Sequence, residues 1–479
     1  MMQMKTKTRK NMMAGAVLGS GGFGCIFRPS LKCVNKKTRK NSVNEISKLM
    51  LKKNAKIEYS EINKFKKHLN TIPKYLDYFL LEGVSLCEPG QLNKKDLSNF
   101  NKKCNALKKK GIQESNINQN LKKLMSINMP FGGIDVGDYV DKVNADYTKM
   151  KVLNKKLIDL LKNGIIPMNK HHVFHCDIKE SNVLIEGDCD YARLIDWGLS
   201  TTFDPAVNKS IPKANKKRPF QFNTPFSTIL FQDSFDELYG TFLKKNPNPS
   251  FILIRSFVIN YVLFVIEKRG PGHLRNINSI MKHFFMNHLM MVEEKFKEDI
   301  IEFEYTFYFI FEYLSKILFK YTRNNKFDSY AYFKEVFVKN VDIWGFIMVY
   351  MPIKDYLLDN FKTISETDED IIAIIKKVYM MAVEAAVEPI DTEQLIRELE
   401  KLNALFSKKM HGRTIMNSDS SVESMTSSSH TKLYKTKTKT MTKKHTEKSS
   451  AGKTRKMSSS TKSKSPLTTF LKYLSTTKK

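Results

Sequence analysis

Hydrophobic and polar positions repeat with two different periods along the chain. Residues 14–133 combine short apolar runs with turn residues, which predicts β-strands, and they contain one helical pattern around Ala55–Leu69. Residues 148–410 follow mainly the 3.6-residue period of helices, except for a strand-and-loop passage between His171 and Thr202. We therefore expect an α+β protein with a small, β-rich N-terminal lobe over residues 14–133 and a larger helical lobe over residues 134–410.

Both ends of the chain are polar and basic. Residues 1–13 form a basic arm without the apolar run of a signal peptide. Residues 411–479 contain 29 Ser and Thr, and their 16 basic and 3 acidic residues contribute +13 to the total formal charge of +31. This composition offers too little apolar surface to offset the entropy of ordering, which predicts a disordered tail. Such a tail acts as a spacer or binds an acidic or nucleic-acid partner.

The composition argues against several classes of protein. Apolar residues make up 41% of the 479 positions, which is enough for a substantial core. The six cysteines show neither C-x-x-C pairs nor the spacing of a disulfide framework, which argues against a zinc ribbon and a disulfide-rich secreted domain. Charged residues interrupt the most apolar stretches, residues 251–266 and 301–321, so we expect no membrane span. These features predict a soluble protein of a reducing compartment.

A glycine-rich segment near the N-terminus is the first candidate for chemistry. Gly19, Gly21 and Gly24 form the pattern G-x-G-x-x-G, and Ile26 supplies an apolar position two residues later. Glycine at these positions lets the backbone approach a polyphosphate without a Cβ in the way. The residues after Gly24 read Cys-Ile-Phe-Arg-Pro, which predicts a β-hairpin rather than the helix that follows the turn of a dinucleotide-binding fold.

Two further motifs lie between residues 175 and 198. Asp177, Lys179 and Asn182 have the spacing D-x-K-x-x-N ahead of a short apolar strand, and Asp196 ends another apolar strand at a Gly turn. Phosphoryl transfer uses a carboxylate that orients the attacking hydroxyl, a cation near the transferred group and oxygen ligands for Mg²⁺. The two aspartates are 19 residues apart, enough for a loop, a strand, a turn and a returning strand, so both carboxylates can reach one site.

In this order, the three motifs resemble those of eukaryotic-type protein kinases, and Lys179 two residues after Asp177 is similar to the serine/threonine branch. Residues 129–135 resemble the hinge between the two kinase lobes. Asp342 resembles the aspartate, at the start of a C-lobe helix, that braces the backbone of the catalytic loop. The hinge, the Phe-Arg-Pro after the glycines and residues 218–227 further resemble divergent kinases of large nucleocytoplasmic DNA viruses.

The resemblance implies a bilobal kinase fold, ATP and Mg²⁺ as cofactors and protein hydroxyl groups as substrates. It implies that Asp177 orients the hydroxyl, that Lys179 neutralises charge at the γ-phosphate, and that Asn182 and Asp196 bind Mg²⁺. The residues implied in nucleotide binding are Leu18, Gly19, Ser20, Gly21, Gly22, Phe23, Gly24, Cys25, Ile26, Lys48 and Glu61.

The resemblance implies that Lys48 binds the α- and β-phosphates and that Glu61 holds Lys48 as its ion-pair partner. Strand alternation puts Ile46, Lys48 and Met50 on one face, although Lys48 follows Gly24 by 24 residues, with the basic loop 36–40 as an apparent insertion. Glu61 is the predicted partner on the following helix, and Glu58, one turn earlier, is the alternative.

The chain departs from the kinase pattern in several places. Cys176 stands where the family has an arginine that binds a phosphate on the activation loop, so control by phosphorylation of that loop is not expected. We expect the Cys176 thiol to be inert. Trp197 replaces a phenylalanine, and residues 218–227 replace the usual Ala-Pro-Glu. Between Ser227 and Asp342 the chain has roughly a hundred residues more than the kinase family norm. Because most of them follow the helical period, we expect a helical insertion at about 232–335.

Two other functions fit parts of the pattern. Small-molecule phosphotransferases of the aminoglycoside or choline kinase type share H-x-D-x-x-x-x-N and I-D-W, which residues 175–182 and 195–197 match. A non-catalytic pseudokinase scaffold is the second alternative. The complete G-x-G-x-x-G, Lys179, Gly198 and Asp342 favour a protein kinase.

A kinase function bears on the tail and on localisation. The hydroxyls of residues 411–479 become candidate substrates of the chain's own active site. The lack of an export signal and the expected free thiols predict an intracellular protein of the host cytoplasm. The viral resemblance adds packaging in a virion as an alternative.

Overall fold

The computed structural model describes residues 16–34, 44–144, 146–360 and 364–418. The predicted basic arm and residues 419–479 of the predicted tail lie outside these ranges. Contacts divide the chain into two units, Met1–Arg413 and Thr414–Lys479, and all the residues of the candidate site belong to the first. The last helix ends at Ser418, eight residues beyond position 410, where we expected ordered structure to end.

The alternating pattern of residues 16–130 forms a five-stranded antiparallel sheet in the order β1-β2-β3-β5-β4. The strands are β1 (Ala16–Ser20), β2 (Gly24–Arg28), β3 (Glu45–Leu51), β4 (Ser85–Cys87) and β5 (Leu124–Pro130). The predicted hairpin after the glycines is confirmed, because β1 and β2 pair antiparallel. Helix α1 (Lys52–Leu69) follows β3 directly, and it confirms the helical period predicted around Ala55–Leu69.

The two faces of this sheet are covered by different segments. On one face, Ala55 of α1 packs with Met50, Met125 and Ile127 of the strands. On the other face, a second apolar cluster joins strand residues to residues 92–117. The short helices on this part of the chain are α2 (Tyr75–Tyr78), α3 (Phe100–Lys103) and α4 (Asn105–Lys108). Because strand side chains alternate, Lys48 lies on the α1 side and its neighbour Leu49 on the side of residues 92–117.

Four cysteines form two disulfides in the N-terminal part. Cys25 pairs with Cys104 and Cys33 pairs with Cys87, with Cα atoms 5.3 Å and 5.5 Å apart. Cys176 and Cys189 are free and buried. The expectation of free thiols throughout the chain is therefore wrong, and it no longer supports a reducing compartment. The partners are 79 and 54 residues apart, so only the folded sheet brings them together.

The strand-and-loop passage predicted between His171 and Thr202 forms part of two small antiparallel sheets, in which β8 pairs with β6 and β9, and β7 pairs with β10. The strands are β6 (Ile134–Asp135), β7 (Val173–Phe174), β8 (Val183–Glu186), β9 (Tyr191–Leu194) and β10 (Thr201–Thr202). The helices between β6 and β7 are α5 (Val136–Val143), α6 (Tyr147–Asp159) and α7 (Ile166–Lys170). The predicted strand, turn and returning strand between Asp177 and Asp196 are thus present.

Helices dominate the rest of the described chain. Over the predicted insertion they are α8 (Asp233–Lys245), α9 (Phe251–Arg269), α10 (Leu274–Phe285), α11 (Glu294–Ile300) and α12 (Phe307–Tyr321), followed by the short hairpin β11 (Thr322–Arg323) and β12 (Lys326–Phe327). The remaining helices are α13 (Ser329–Tyr332), α14 (Val338–Met348), α15 (Met351–Asn360), α16 (Glu366–Glu384) and α17 (Thr392–Ser418). One large apolar cluster extends from α1 through these helices to Phe406.

One helical run has the composition of a membrane span. Ser329–Asp359 has the necessary length and mean hydropathy, but 89% of its most apolar window is buried within the protein. No other helix of the described ranges meets the same two criteria. Burial of this kind is typical of a core helix. The described part of the chain is therefore α+β, and α14 lies buried inside its helical part.

Candidate active site

The glycine-rich turn joins β1 to β2. The Gly21 N–H donates to the Gly24 carbonyl oxygen at 2.9 Å and closes the turn. A Cβ on Gly24 would lie 2.7 Å from the Leu49 carbonyl oxygen of β3, so only glycine allows this close approach of the two strands. A Cβ on Gly19 or Gly22 would meet nothing within 4 Å. The backbone of these two residues is therefore open to a ligand.

The side chains of Ser20 and Cys25, two predicted nucleotide-binding residues of this hairpin, contact the α3–α4 segment. Cys25 is fully buried in its disulfide with Cys104. Ser20 Oγ accepts a hydrogen bond from the Ala106 N–H at 3.0 Å. The side chains of Ser20 and Cys25 thus face the α3–α4 segment, and nucleotide binding by these two residues stays a prediction.

The other hairpin side chains lie on the open side or at the tip. Ile26 is half-buried and directly opposite Lys48 in the register of β2 and β3. Leu18 and Phe23 are both exposed, with Phe23 at the tip of the turn. Ile26 and Lys48 are therefore neighbours on adjacent strands, next to the glycine-rich turn under which the sequence predicted the nucleotide.

Lys48 connects the sheet to the segment that carries Asp196. Its Nζ lies 2.7 Å from Glu58 Oε1 and 3.7 Å from Asp196 Oδ1, and its side chain is 9% exposed. Burial lowers the pKa of the Lys48 ammonium, but the negative charges of Asp196 and Glu58 outweigh this effect, so the net shift of the pKa is upward. Lys48 is therefore a buried, permanent cation between two carboxylates at neutral pH.

The predicted partner Glu61 is wrong, since the ion pair forms with the alternative, Glu58. Helix α1 begins at Lys52 immediately after β3, so its second turn faces Lys48 and its third turn lies farther along. Glu61 is half-buried, and burial together with the charge of Glu58 raises the pKa of its carboxyl. Burial also raises the pKa of Glu58, although the Lys48 charge opposes this shift.

Asp177 is held by groups from both sides. Its Oδ2 lies 3.1 Å from Lys179 Nζ and accepts from Asn182 Nδ2 at 3.0 Å, while its Oδ1 accepts from Asn223 Nδ2 at 2.8 Å. Burial raises the pKa of the Asp177 carboxyl, but Lys179, Asn223 and His175 together outweigh it, so the pKa is lowered. Asp177 is therefore an oriented, ionised carboxylate.

The segments of Asp177 and Asp196 adjoin each other. The Ile195 N–H donates to the Asn182 carbonyl oxygen at 3.1 Å, and the His175 ring lies 2.9 Å from the Ile195 carbonyl oxygen through Nε2. Asp196 itself has a left-handed backbone, φ +64°, and its side chain is 42% exposed. The structure thus brings Lys48, Asp177, Asn182 and Asp196 into one connected site, as predicted.

The backbone before Asp177 is fixed by Asp342 of α14. The fully buried Asp342 accepts the N–H of His175 through Oδ2 at 2.9 Å and the N–H of Cys176 through Oδ1 at 2.7 Å. Cys176 has a φ of +58°, a strained conformation that a neighbouring acceptor stabilises. This is the bracing role predicted for Asp342. Burial raises the pKa of the Cys176 thiol, which favours the expected inert thiol.

Trp197 links this loop to helix α1. Its ring packs at 5.0 Å from His175, 5.5 Å from Phe65 and 5.7 Å from Phe79, measured between ring centroids. Contacts at these distances and tilts are favourable for aromatic pairs. Any displacement of α1 would therefore be felt by the residue that follows Asp196.

Asn223 is a site residue that the sequence did not reveal. It is fully buried, and its Nδ2 donates to Asp177 Oδ1 and to the Ile178 carbonyl oxygen. Its segment is anchored by the Trp344 Nε1–H, which donates to the Phe222 carbonyl oxygen at 2.9 Å. Asn223 lies 46 residues after Asp177, and no spacing rule relates the two.

Among the described residues, no group of three or more His, Cys, Asp and Glu side chains forms a cluster that could hold a metal ion. The predicted metal ligands Asn182 and Asp196 are one amide and one carboxylate. No protein-family model matches the chain, and no curated protein matches it.

Proposed function

We propose that this protein is a serine/threonine protein kinase that transfers the γ-phosphate of ATP to protein hydroxyl groups. The observation that carries the proposal is the position of Lys48, which lies within 4 Å of Glu58 on one side and of Asp196 on the other. A buried cation held in this way fits the phosphates of a nucleotide that lies under the glycine-rich turn.

The residues of the adjoining loop suit the transfer step. Asp177, ionised and oriented by Asn223, would accept a hydrogen bond from the attacking hydroxyl. Lys179, 3.1 Å from Asp177, would neutralise charge that develops on the transferred phosphoryl group. The rate would then come from positioning and from fixed charges rather than from a covalent intermediate.

The donor set suits Mg²⁺ together with a nucleotide. Mg²⁺ is usually bound through one or two carboxylates while phosphates and water complete its coordination. Asp196 supplies a partly exposed carboxylate, and Asn182 an amide whose Nδ2 already donates to Asp177, so its oxygen is the atom left to bind a cation. Bound there, Mg²⁺ would neutralise charge on the phosphate oxygens.

The order of the elements supports a bilobal kinase fold as the finer description of this α+β protein. The antiparallel sheet that contains Lys48 and the long helix α1 come first in the chain, and the mainly helical part that contains α14 follows. The brace from Asp342 to the loop before Asp177 also fits that fold. The helices over residues 233–321 fit the predicted insertion.

The acceptor is tested by offering two classes of hydroxyl to the same enzyme. The full-length protein is incubated with Mg²⁺ and ATP labelled at the γ-phosphate, and then with casein or histone in one arm and with small alcohols such as an aminoglycoside or choline in the other. The proposal predicts label on serine or threonine of the protein substrate. Label confined to the small alcohols would support a small-molecule phosphotransferase instead. Failure to bind Mg·ATP at all would support a scaffold without catalysis.

A further inference from the structure

The hairpin that carries the glycine-rich turn is tied to residues 98–106 at three places. The Val17 N–H donates to the Ser98 carbonyl oxygen at 3.3 Å, and Ser20 Oγ accepts from the Ala106 N–H at 3.0 Å. The third tie is covalent, because Cys25 is bonded to Cys104, between α3 and α4. The outer face of the hairpin is thus fastened to a segment that follows it by about 80 residues in the sequence.

Two of these ties lie at the two ends of the turn itself. Ser20 is the last residue of β1, and Cys25 directly follows Gly24 in β2, so the tethered residues bracket the turn residues 21–24. Ser20 and Cys25 are also paired across the hairpin. The position of the turn therefore depends on the α3–α4 segment as well as on the sheet.

The other disulfide provides a natural comparison. Cys33 follows β2, and Cys87 is the last residue of β4. The backbone of Cys33 forms an isolated β-bridge with Pro89, away from the glycine-rich turn. This bond ties β4 to the segment after β2 and does not involve residues 20–25. Each disulfide thus joins one strand of the sheet to a residue outside the strands, and of the two only Cys25–Cys104 lies at the turn.

We propose that the Cys25–Cys104 disulfide is a redox lock on the glycine-rich turn, closed for tight nucleotide binding and open for weak binding. The proposal rests on the proposed function, since it takes a nucleotide as the ligand of the turn. Closing the bond removes the freedom of the turn to move away from the α3–α4 segment, and a turn held in its binding position loses less entropy when the ligand arrives.

The opening step is a two-electron reduction by a dithiol. One thiolate of the dithiol attacks a sulfur of the pair, which gives a mixed disulfide and a free cysteine thiolate that takes up a proton. The second thiol of the reductant then attacks the mixed disulfide, releases the other cysteine and leaves the reductant as an oxidised disulfide. Cys25 and Cys104 are fully buried, so the α3–α4 segment must first move away from the hairpin.

Paired variants test the proposal directly. The dissociation constant of a fluorescent ATP analogue is measured for the wild type, for Cys25→Ser with Cys104→Ser, and for Cys33→Ser with Cys87→Ser. We expect the first double variant to bind about 5- to 20-fold more weakly, a change within the usual range of coupling between sites, and the second to bind like the wild type. Equal affinity in all three proteins, or an equal loss in both variants, would overturn the proposal.

A second measurement uses the unaltered protein, in case the first variant does not fold. The native enzyme is equilibrated with graded ratios of reduced to oxidised dithiothreitol, with and without Mg·ATP, and each disulfide is quantified by alkylation and mass spectrometry. Binding and disulfide closure are reciprocally coupled, so Mg·ATP must shift the Cys25–Cys104 equilibrium toward the disulfide by the factor by which closure tightens binding. Mg·ATP must leave Cys33–Cys87 unshifted.

No shift at Cys25–Cys104, or a bond that opens only when the protein unfolds, would overturn the redox lock. A wild type with intact disulfides that binds no ATP analogue would instead contradict the proposed function. The two failures are therefore distinguishable, because the second is read in the oxidised enzyme alone.

Discussion

The Nδ2 of Asn223 lies 2.8 Å from Oδ1 of Asp177, so an amide from a segment 46 residues away fixes the carboxylate at the centre of the candidate site. The same amide donates to the Ile178 carbonyl oxygen at 3.2 Å. Because both groups are buried, this contact sets the direction of the Asp177 oxygens and stabilises their charge.

Replacement of Asn223 should change the pH dependence of the reaction. Lys179 and Asn223 lower the pKa of Asp177 against the effect of burial, so in Asn223→Ala this pKa rises. The acid limb of the profile of kcat/KM against pH should then move to higher pH, and Asn223→Thr, which keeps a donor, should move it less. An unchanged acid limb in Asn223→Ala would show that the amide does not act on the essential carboxylate.

The lowered pKa of Asp177 also makes the stability of the folded protein depend on pH. A carboxyl whose pKa is lower in the folded state contributes stability above its ordinary pKa of about 3.9, and this contribution is lost as the pH falls through the folded-state value. Acid unfolding of Asn223→Ala should therefore begin at a higher pH than that of the wild type, monitored by circular dichroism.

The two glutamates of α1 form a matched pair of variants. Glu58→Gln removes the charge that lies 2.7 Å from Lys48 Nζ, whereas Glu61→Gln changes a neighbouring helix position that does not pair with Lys48 in the described structure. We expect kcat/KM for ATP to fall at least about tenfold in Glu58→Gln, which corresponds to about 1.4 kcal/mol, and to change little in Glu61→Gln. The reverse order would restore Glu61 as the functional partner.

Two glycines of the turn should respond differently to alanine. A Cβ at position 24 would lie 2.7 Å from a backbone oxygen of β3, and one at position 22 would meet nothing within 4 Å. Gly24→Ala should therefore cost about 1–3 kcal/mol of stability through strain, while Gly22→Ala should keep the melting temperature of the wild type. Differential scanning calorimetry of both proteins measures this, and an equal melting temperature for Gly24→Ala would contradict the close approach.

Asp342→Asn should destabilise the fold without creating a cavity. One of the two oxygens that accept the His175 and Cys176 N–H groups becomes an NH₂ group, which leaves a buried donor opposite a donor. The loss of such a charge-assisted contact costs about 2–3 kcal/mol. Guanidinium unfolding should show a lower midpoint at an unchanged slope, and an unaltered midpoint would contradict the bracing role.

Local patterns revealed much of the site, because the chemistry lies in short segments. The spacing of the glycines and the residues that follow them predicted the β1–β2 hairpin. Two apolar runs on either side of a turn predicted paired strands that return the chain, and Asp196 with it, toward Asp177. The helical period likewise predicted α1. In each case the decisive contacts span few residues of sequence or one regular element.

The sequence could not predict which residues far apart in the chain would come into contact. Glu58 and Glu61 are three residues apart and share one side of α1, so only the direct junction of α1 with β3 selects between them. The Cys25–Cys104 bond joins residues 79 apart that become neighbours only when residues 92–117 cover the sheet. Asn223 reaches Asp177 through the packing of its segment on α14.

The most direct test of the central claim is phosphate transfer by Asp177→Asn, with Asp188→Asn as a control at an exposed carboxylate on the β8–β9 turn. The rate of transfer from γ-labelled ATP to a protein substrate is measured for both variants and the wild type. The melting temperature of each protein is measured as well, and the comparison requires that the three values are equal. We predict that Asp177→Asn lowers turnover at least about a hundredfold and that Asp188→Asn does not. Transfer at the wild-type rate by Asp177→Asn would contradict the assignment.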